Sequence, residues 1–337
     1  MTVCWAASMA TRPERTPQRA GGTPASQAAP VPAPSSRQPL AWWGAVDVAR
    51  DGVVRVTAGP TQVWVERRRH DWRVFSDATP DPDAATGDED APPPADAPPP
   101  AAERPRTVDP DDLPEADPRV RFCFADAPER LLVSVAQADR PFVVRPATPV
   151  SVGPGERVTL FVSTPTWIVL SVERVVRARS GMRATNDPSP TRQKLVEFPL
   201  ERPSDTWFGP STVIGELCYA TRTAGYLRLD DVPREPHLAL TPVTIENKAG
   251  DPLQFERVRV PLPQLAVYAD TTGALWTNAV RLTRESSGDL AAVQVESGVP
   301  LGARGASERL TTPRNEAAKG SVVRAFSRLL HFAGSGS

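Results

Sequence analysis

Short alternations of hydrophobic and polar residues dominate residues 119–290 and recur about every ten residues. In the first of them Val120, Phe122 and Phe124 fall on one face, with polar or small residues between them. A period of two is typical of a β-strand that buries one face. The region therefore predicts an all-β core of one or two packed antiparallel sandwiches, immunoglobulin-like, with a sub-boundary near residues 182–203 as one option.

A second strand-rich piece covers residues 41–77. Residues 62–66 and 71–75 both alternate, and the polar run 67–70 between them predicts the turn of a β-hairpin. A piece of 37 residues is smaller than the ~40 residues that usually fold alone without staples. We therefore expect its strands to pack on the core that follows.

Two segments have the composition of disordered chain. Residues 1–40 are rich in Pro, Ala, Ser and Gly and poor in large hydrophobic residues. Residues 78–118 contain twelve prolines and twelve acidic residues against two arginines. Proline removes backbone donors and like charges repel, so this acidic stretch predicts an extended insertion within the β-domain.

The tail, residues 291–337, changes its pattern near the end. Val322, Phe326, Leu329 and Leu330 recur at the spacing of one helical face, with cations flanking them. This predicts a basic amphipathic helix over residues 315–332. The helix would either dock on the sandwich or present its apolar face to a partner or to an anionic membrane.

Composition narrows the function class. The formal net charge is −1, so no global basic field favours nucleic acid, and we expect no nucleic-acid partner. Three cysteines, Cys4, Cys123 and Cys218, offer neither an even disulfide framework nor zinc-ligand spacing. Inert thiols in a reducing compartment are the simpler interpretation, which predicts a cytoplasmic protein.

Residues suited to catalysis are sparse. His70, His237 and His331 are the only histidines, and no common hydrolase, metalloprotease or phosphate-loop motif occurs. We therefore predict no catalytic residue, no metal site and no cofactor.

The most distinctive string is residues 204–219, which carries Asp205, Trp207, Phe208, Glu216 and Tyr219. Two adjacent aromatic residues stand before Gly-Pro, where polar loop residues are usual. They could close the end of a sandwich, or they could form the lip of a ligand-binding or protein-binding edge together with the acidic residues and the tyrosine.

A second candidate is the basic cluster at the predicted hairpin turn. Arg67, Arg68 and Arg69 are consecutive, so they place three cations at one hairpin end. A solvated hairpin end is the simpler interpretation, and an anion or partner patch is the functional one.

Six short motifs follow one another along the chain: residues 42–44 (WWG), the hairpin with Trp64 and Trp72, Arg140-Pro141 with residues 144–146, residues 204–210 with 215–219, residues 241–245 (TPVTI), and residues 275–277 (LWT). Together they resemble a prokaryotic family catalogued as domain of unknown function 432, over residues 41–285 without the acidic insertion. The resemblance implies no catalytic residue. It implies a gene context of small-conductance mechanosensitive channels, and so an unknown protein partner for which a membrane-associated protein is one option.

The sequence thus favours a non-enzymatic intracellular binding or regulatory module that acts through protein–protein contacts. The alternative is a small-ligand-binding protein or enzyme that uses the loop at residues 204–219. An open pocket in which Asp205, Glu216 and Tyr219 converge would favour the alternative, and a loop filled by its own side chains would favour the module.

Overall fold

The computed structural model describes residues 41–77, 101–175, 190–211, 213–305, 307–316 and 321–327, all within one contact unit, Gln38–Ser337. These residues form β-strands joined by turns, and the helices among them are three single 3-10 turns, Pro110–Asp112, Leu229–Asp231 and Leu262–Gln264. The predicted all-β fold class is confirmed.

The strands in chain order are β1 (Gly44–Asp47), β2 (Val53–Gly59), β3 (Thr61–Arg67), β4 (Asp71–Ser76), β5 (Ala101–Val108), β6 (Val120–Cys123), β7 (Arg130–Ala136), β8 (Phe142–Val144), β9 (Val150–Val152), β10 (Arg157–Pro165), β11 (Trp167–Val175), β12 (Pro190–Pro199), β13 (Ser204–Phe208), β14 (Glu216–Ala220), β15 (Gly225–Tyr226), β16 (Leu238–Asn247), β17 (Leu253–Phe255), β18 (Arg257–Val260), β19 (Val267–Ala269), β20 (Leu275–Thr277), β21 (Val280–Arg284), β22 (Leu290–Val295), β23 (Glu308–Thr311), β24 (Val322–Arg324) and β25 (Phe326–Ser327).

The first hydrophobic core lies between a five-stranded sheet, in the order β5-β2-β3-β4-β6, and a four-stranded sheet, in the order β1-β7-β11-β12. Alternate valines of β2 and β3 meet alternate leucine, isoleucine and valine side chains of β7 and β11 there. Trp72 of β4 is fully buried between them. Strand alternation therefore places one face of each sheet in a shared core, as the sequence predicts.

The second core lies between a nine-stranded sheet built around β16 and a five-stranded sheet, in the order β13-β14-β8-β18-β25. The nine-stranded sheet contributes alternate residues of β10, β16 and β21, and the smaller sheet contributes Phe142, Val144, Val258 and Val260. β16 pairs antiparallel with β10 and parallel with β20 and β21, so it is the central strand of this half of the molecule.

Three strands of residues 41–77 pair with strands that come later in the chain. β1 pairs with β7, β2 pairs with β5, and β4 pairs with β6. Each of these pairings joins a strand before the acidic stretch to a strand after or within it. The hairpin formed by β3 and β4 is also confirmed, with residues 68–70 as its turn.

The acidic stretch is where the prediction of an extended insertion over residues 78–118 is wrong in part. Residues 101–108 form β5, which pairs with β2 along its length, with one irregularity in register. Ala102 is buried in the first core, because the small alanine side chain fits against β2 despite the charged residues around it. The average composition of residues 78–118 does not predict this strand, because most of the prolines and acidic residues lie before residue 101 or after residue 108. Residues 78–100 lie outside the described residues.

The predicted helix over residues 315–332 is also wrong where the structure describes that segment, at residues 321–327. Residues 322–324 are strand β24, which pairs with β22, and residues 326–327 are strand β25, which pairs with β18. Phe326 is fully buried in the second core, where its ring centroid lies 5.4 Å from that of Phe255. The adjacent β-branched residues Val322 and Val323 favour extended backbone. As a strand, they also form backbone hydrogen bonds with β22, which a helix could not form.

Other sequence predictions fall on residues that the structure does not describe. These are the N-terminal segment 1–40, the part of the sub-boundary at residues 182–189, and Leu329 and Leu330 of the tail. Residues 190–199, at the other side of that sub-boundary, are strand β12, paired with β11 in the first half of the molecule.

Candidate functional site

Strands β13 and β14 form the hairpin that carries the five candidate residues. Asp205 lies opposite Tyr219, Trp207 opposite Leu217, and Phe208 opposite Glu216. Directly opposed residues share a face and neighbours along a strand alternate, so Asp205, Trp207 and Tyr219 lie on one face of the hairpin. Phe208 and Glu216 lie on the other face. The structure therefore brings the five residues to one hairpin but not into one pocket.

The charged candidates already have partners. Glu216 accepts two hydrogen bonds from the largely buried Arg259, at 2.6 Å to Nε and 2.9 Å to Nη2. Asp205 accepts a hydrogen bond of 3.0 Å from Nη1 of Arg140. A bidentate arginine–carboxylate pair satisfies both partners and fixes their geometry. Glu216 is therefore held by a bidentate ion pair, and Asp205 takes part in a more exposed ion pair with Arg140.

The tyrosine is held in the same way. Its hydroxyl donates to Oδ1 of Asp139 at 3.0 Å, and the guanidinium of Arg140 lies 5.2 Å from its ring centroid. Burial, together with the hydrogen bond to Asp139, raises the pKa of Tyr219 to about 12. The phenol thus stays protonated and keeps its bond to Asp139 at physiological pH.

Phe208 packs into a small cluster on the opposite face, with Val143 and Cys218. Arg257 lies over the Phe208 ring, 5.8 Å from its centroid. Burial raises the pKa of the Cys218 thiol to about 11, so this thiol is a packing group with little thiolate character. The interpretation of Phe208 as a residue that closes the sandwich fits this position.

The loop between the two strands, residues 209–215, is built by close contacts. Trp207 donates through Nε1 to the carbonyl of Ser211 at 2.6 Å, and Ser211 Oγ accepts from the backbone N–H groups of Val213 and Ile214 at 3.3 and 3.1 Å. A Cβ atom on Gly215 would lie 2.4 Å from Trp207 Nε1, so the ring rests directly on that glycine. These three hydrogen bonds satisfy the indole N–H of Trp207 and the backbone N–H groups of Val213 and Ile214 within the hairpin.

Its hydrophobic side chains nevertheless face solvent. Val213 is 88% exposed, Ile214 63%, Leu217 42% and Trp207 40%. We call these four residues the hairpin tip. Exposed hydrophobic residues are common singly, but several of them at one end of a hairpin are the kind of surface that interaction sites use. The four tip side chains therefore do not stabilise the fold by being buried, and their exposure calls for another reason.

A polar cleft of about 300 Å³ lies beside the hairpin. Its lining includes Glu216, Leu217, Arg140, Arg259 and Gln264. Asp205 and Tyr219 do not line it, and Glu216 is occupied by Arg259. The convergence of Asp205, Glu216 and Tyr219 that a ligand site at this loop would require is not observed.

The basic cluster at the β3–β4 turn is dispersed by the fold. Arg67 is buried, and its guanidinium donates to the carbonyls of Val48 and Ala127 at 2.9 and 2.8 Å. Arg68 pairs with Glu66, and Arg69 is exposed. The three side chains therefore do not converge on one anion-binding patch.

The tail candidates also separate. Val322 is 63% exposed at the edge of the nine-stranded sheet, whereas Phe326 is buried beneath the five-stranded sheet. No single apolar stripe of residues 321–327 faces solvent. This part of the tail packs into the second core through Ala325 and Phe326.

Sequence reasoning missed the residues that define this site most clearly. The alternation pattern does not single out Val213 and Ile214, and it does not connect Asp139, Arg140 and Arg259 to the hairpin. Two adjacent hydrophobic residues between Pro210 and Gly215 could have indicated the tip, since turns usually carry polar residues. The three partners could not have been found, because they lie far away in sequence.

The described residues contain no cluster of three or more His, Cys, Asp and Glu side chains suited to a metal ion. No helix among them has the length and apolar character needed to cross a bilayer.

The fold and the site define an all-β protein of packed sheets with an ordered apolar hairpin tip. The chain belongs to the family described as Protein of unknown function (DUF432), whose model matches residues 42–331. This confirms the resemblance seen in the sequence and extends it beyond residue 285 through β25. No curated protein and no solved structure matches the chain.

Proposed function

We propose that this chain is a non-enzymatic binding or regulatory module that contacts a protein partner through its hairpin tip. The observation that carries the proposal is the exposure of Val213 and Ile214 on the loop, and of Trp207 and Leu217 on the two strands beside it, where hydrogen bonds within the hairpin satisfy the indole N–H and the backbone N–H of Ile214. These hydrophobic side chains do not pack against the rest of the protein, so they stay in contact with water, which is unfavourable. Burial against a partner surface would remove this cost.

The chemistry of the neighbourhood supports a protein partner with an apolar contact surface. The acidic groups of the hairpin, Asp205 and Glu216, are each paired with an arginine. A partner that relied on charge would find these groups occupied, and residues 209–215 carry no charged side chain. Hydrophobic burial is thus the main attraction that this surface offers, with the tryptophan as a natural anchor.

The alternative, a small ligand or an enzymatic reaction at residues 204–219, has less support. Asp205 and Tyr219 lie on the face opposite Glu216, and each of these groups is engaged by a neighbour. We further propose that the module acts in the cytoplasm, since Cys123 and Cys218 are free thiols in a chain with an odd cysteine count. A membrane-associated protein is the first partner to test.

The test is an affinity capture with the full chain, from soluble and membrane fractions of the native cell. The double variant Val213→Asp, Ile214→Asp adds charge to the tip without touching the core. The control is Leu301→Asp, which puts one aspartate on a fully exposed leucine elsewhere, and the single variant Ile214→Asp matches it in charge. We expect wild type and the control to retain one partner and the double variant to lose it, with unchanged melting temperatures. Equal capture by all three proteins would overturn the proposal.

A further inference from the structure

The polar cleft beside the β13–β14 hairpin contains an acceptor that the fold leaves without a donor. Gln264 lines this cleft, and its side-chain Oε1 is buried but accepts no hydrogen bond from the residues that the structure describes. The residue ends the 3-10 turn Leu262–Gln264, in which Leu262 and Pro263 are buried, so its backbone is held in place. A buried polar atom without a partner is unfavourable, and this oxygen therefore calls for a donor from a bound group.

The charges that line the cleft cancel. Arg259 donates to both carboxylate oxygens of Glu216, and Arg140 donates to Asp205 just outside the lining. Together with Asp139, the lining holds two guanidinium groups and two carboxylates, which gives no net formal charge. A free cation or anion would meet a like charge in the cleft as well as an opposite one. Net charge therefore selects neither kind of ion.

A neutral amide group fits the cleft better than an ion. Its N–H can donate to Oε1 of Gln264, and its C=O can accept from Arg140, of which Nη1 is the atom that donates to another described side chain. If the Gln264 carboxamide turned by half a turn, its own N–H groups would face the C=O of the same ligand. Pro141, Pro261 and Pro263 complete the lining with apolar rings. A peptide main chain repeats this donor and acceptor at every residue, so one short segment can serve both groups.

The cleft and the hairpin tip meet at Leu217. This side chain belongs to the tip and also lines the cleft. The volume of the cleft, about 300 Å³, is at the lower end of the ~300–1,000 Å³ that is usual for ligand pockets, so it has room for a short stretch of chain. A segment that lies in the cleft would therefore continue onto the exposed tip.

We propose that the cleft binds the main chain of a short extended segment of the protein partner, with Oε1 of Gln264 as the acceptor for one main-chain N–H. An apolar side chain of the same segment packs against Leu217 and the rest of the tip. Main-chain hydrogen bonds of this kind hold a peptide in place, and the neighbouring apolar contact selects its side chain.

This inference rests on the proposed function, because it describes how the same partner is held. The tip variant Val213→Asp, Ile214→Asp tests the partner contact, and substitution of Gln264 tests the cleft alone. A partner that is lost with the tip variant and kept with the Gln264 variant would leave the proposed function standing and refute the amide site.

The first experiment repeats the affinity capture with the full chain carrying Gln264→Met. Methionine has nearly the length of glutamine but lacks the amide, so the variant keeps the packing and loses the acceptor. We expect partner capture to fall about fivefold, as the loss of one hydrogen bond implies. The melting temperature should stay the same or rise, because the variant removes a buried acceptor that has no donor.

The matched control is Gln294→Met, which makes the same change at an exposed glutamine of β22 and should leave capture unchanged. A Gln264→Met protein that captures the partner as well as wild type would overturn the proposal. So would a Gln264→Met protein that melts clearly below the control, because that result would mean that the oxygen already has a partner within the chain.

The second experiment needs no partner and uses the blocked dipeptide N-acetyl-Leu-Ala-amide as the probe. Nuclear magnetic resonance follows the side-chain amide signal of Gln264, which is assigned by its absence from Gln264→Met. We expect the dipeptide to shift this signal in a saturable way, and acetate and methylammonium at equal concentrations to leave it in place. An equal shift with either ion, or no shift with the dipeptide, would overturn the proposal.

Discussion

Two hairpins of this protein, β3–β4 and β13–β14, show opposite uses of the residues at their turns. The β3–β4 hairpin has three consecutive arginines at its turn, yet the loop before β7 covers it. Phe124 and Ala127 donate backbone hydrogen bonds to the carbonyls of His70 and Arg69. The β13–β14 hairpin has hydrophobic residues at its turn, and they remain in solvent.

The difference shows why a cluster of charge in a sequence is a weak indicator of a binding site. A guanidinium can donate to several carbonyls, so the fold can satisfy it internally. Arg67, for example, donates to the backbone carbonyls of Val48 and Ala127. An exposed valine or isoleucine on an ordered loop can be satisfied only by another surface. The apolar turn is therefore the more informative one for function, although the basic turn is the more conspicuous.

The largest expected effect comes from replacing Arg67, the arginine of the first hairpin whose guanidinium is buried and hydrogen-bonded. Arg67→Met should lower the free energy of unfolding by about 3 kcal/mol, because two carbonyls lose a charged donor in a buried site. The matched variant Arg69→Met, on an exposed side chain two residues on, should cost less than about 0.5 kcal/mol. Urea unfolding measures both. Equal losses would mean that Arg67 is no more built into the fold than its neighbour.

A smaller effect is expected where the second hairpin is most tightly built. Gly215→Ala should lower the free energy of unfolding by about 1–3 kcal/mol, because the added methyl would meet the Trp207 ring at 2.4 Å. Gly250→Ala is the control, since a Cβ atom there would meet nothing within 4 Å. Thermal unfolding distinguishes the two. A Gly215→Ala protein as stable as the control would show that the loop is loosely held and its exposed residues unordered.

The smallest expected effect is the contribution of Asp71, in the first hairpin, to the pH dependence of the free energy of unfolding. Burial acts to raise the pKa of Asp71, but hydrogen bonds from Arg73 and Arg121 outweigh it, and the net shift is downward. A lowered folded-state pKa stabilises the protein above the unfolded value of about 3.9, and this contribution is lost as the pH falls through the folded-state value. Asp71→Asn should therefore be less stable than wild type at neutral pH, and the gap should close in acid.

Urea unfolding at a series of pH values measures that gap. Arg121→Gln, which removes one of the two donors, should reduce the pH dependence without abolishing it. Curves for wild type and Asp71→Asn that run parallel through the acid range would contradict the assignment of Asp71 as the titrating group.

Much of the fold could be predicted because its signal is local. The alternation in residues 158–162 and 243–245 records which face of β10 and of β16 is buried, and the turn at residues 68–70 separates two alternating runs. The failures came where a short segment takes its conformation from a distant partner. β5 and β24 have weak patterns of their own and exist because β2 and β22 have edges to pair with.

The site was predictable in its location and not in its arrangement. Residues 204–219 stand out in sequence because aromatic residues precede Gly-Pro, and the structure does place them on one hairpin. Their roles depend on groups elsewhere in the chain, such as Arg140, 65 residues before Asp205, and Arg259, 43 residues after Glu216. Periodicity cannot connect residues at such separations.

The sequence by itself determined the all-β class and the family, and it predicted that residues 41–77 pack on later strands. Each follows from local alternation, segment size or ordered motifs, which need no knowledge of three-dimensional neighbours. The tertiary structure alone decided which charged side chains are engaged in hydrogen bonds and ion pairs and which hydrophobic side chains stay exposed. Burial and pairing are properties of two surfaces in contact, and those surfaces are assembled from strands far apart in the chain. For that reason the arginines of the first hairpin became part of the fold, and Val213 and Ile214 of the second remained available to a partner.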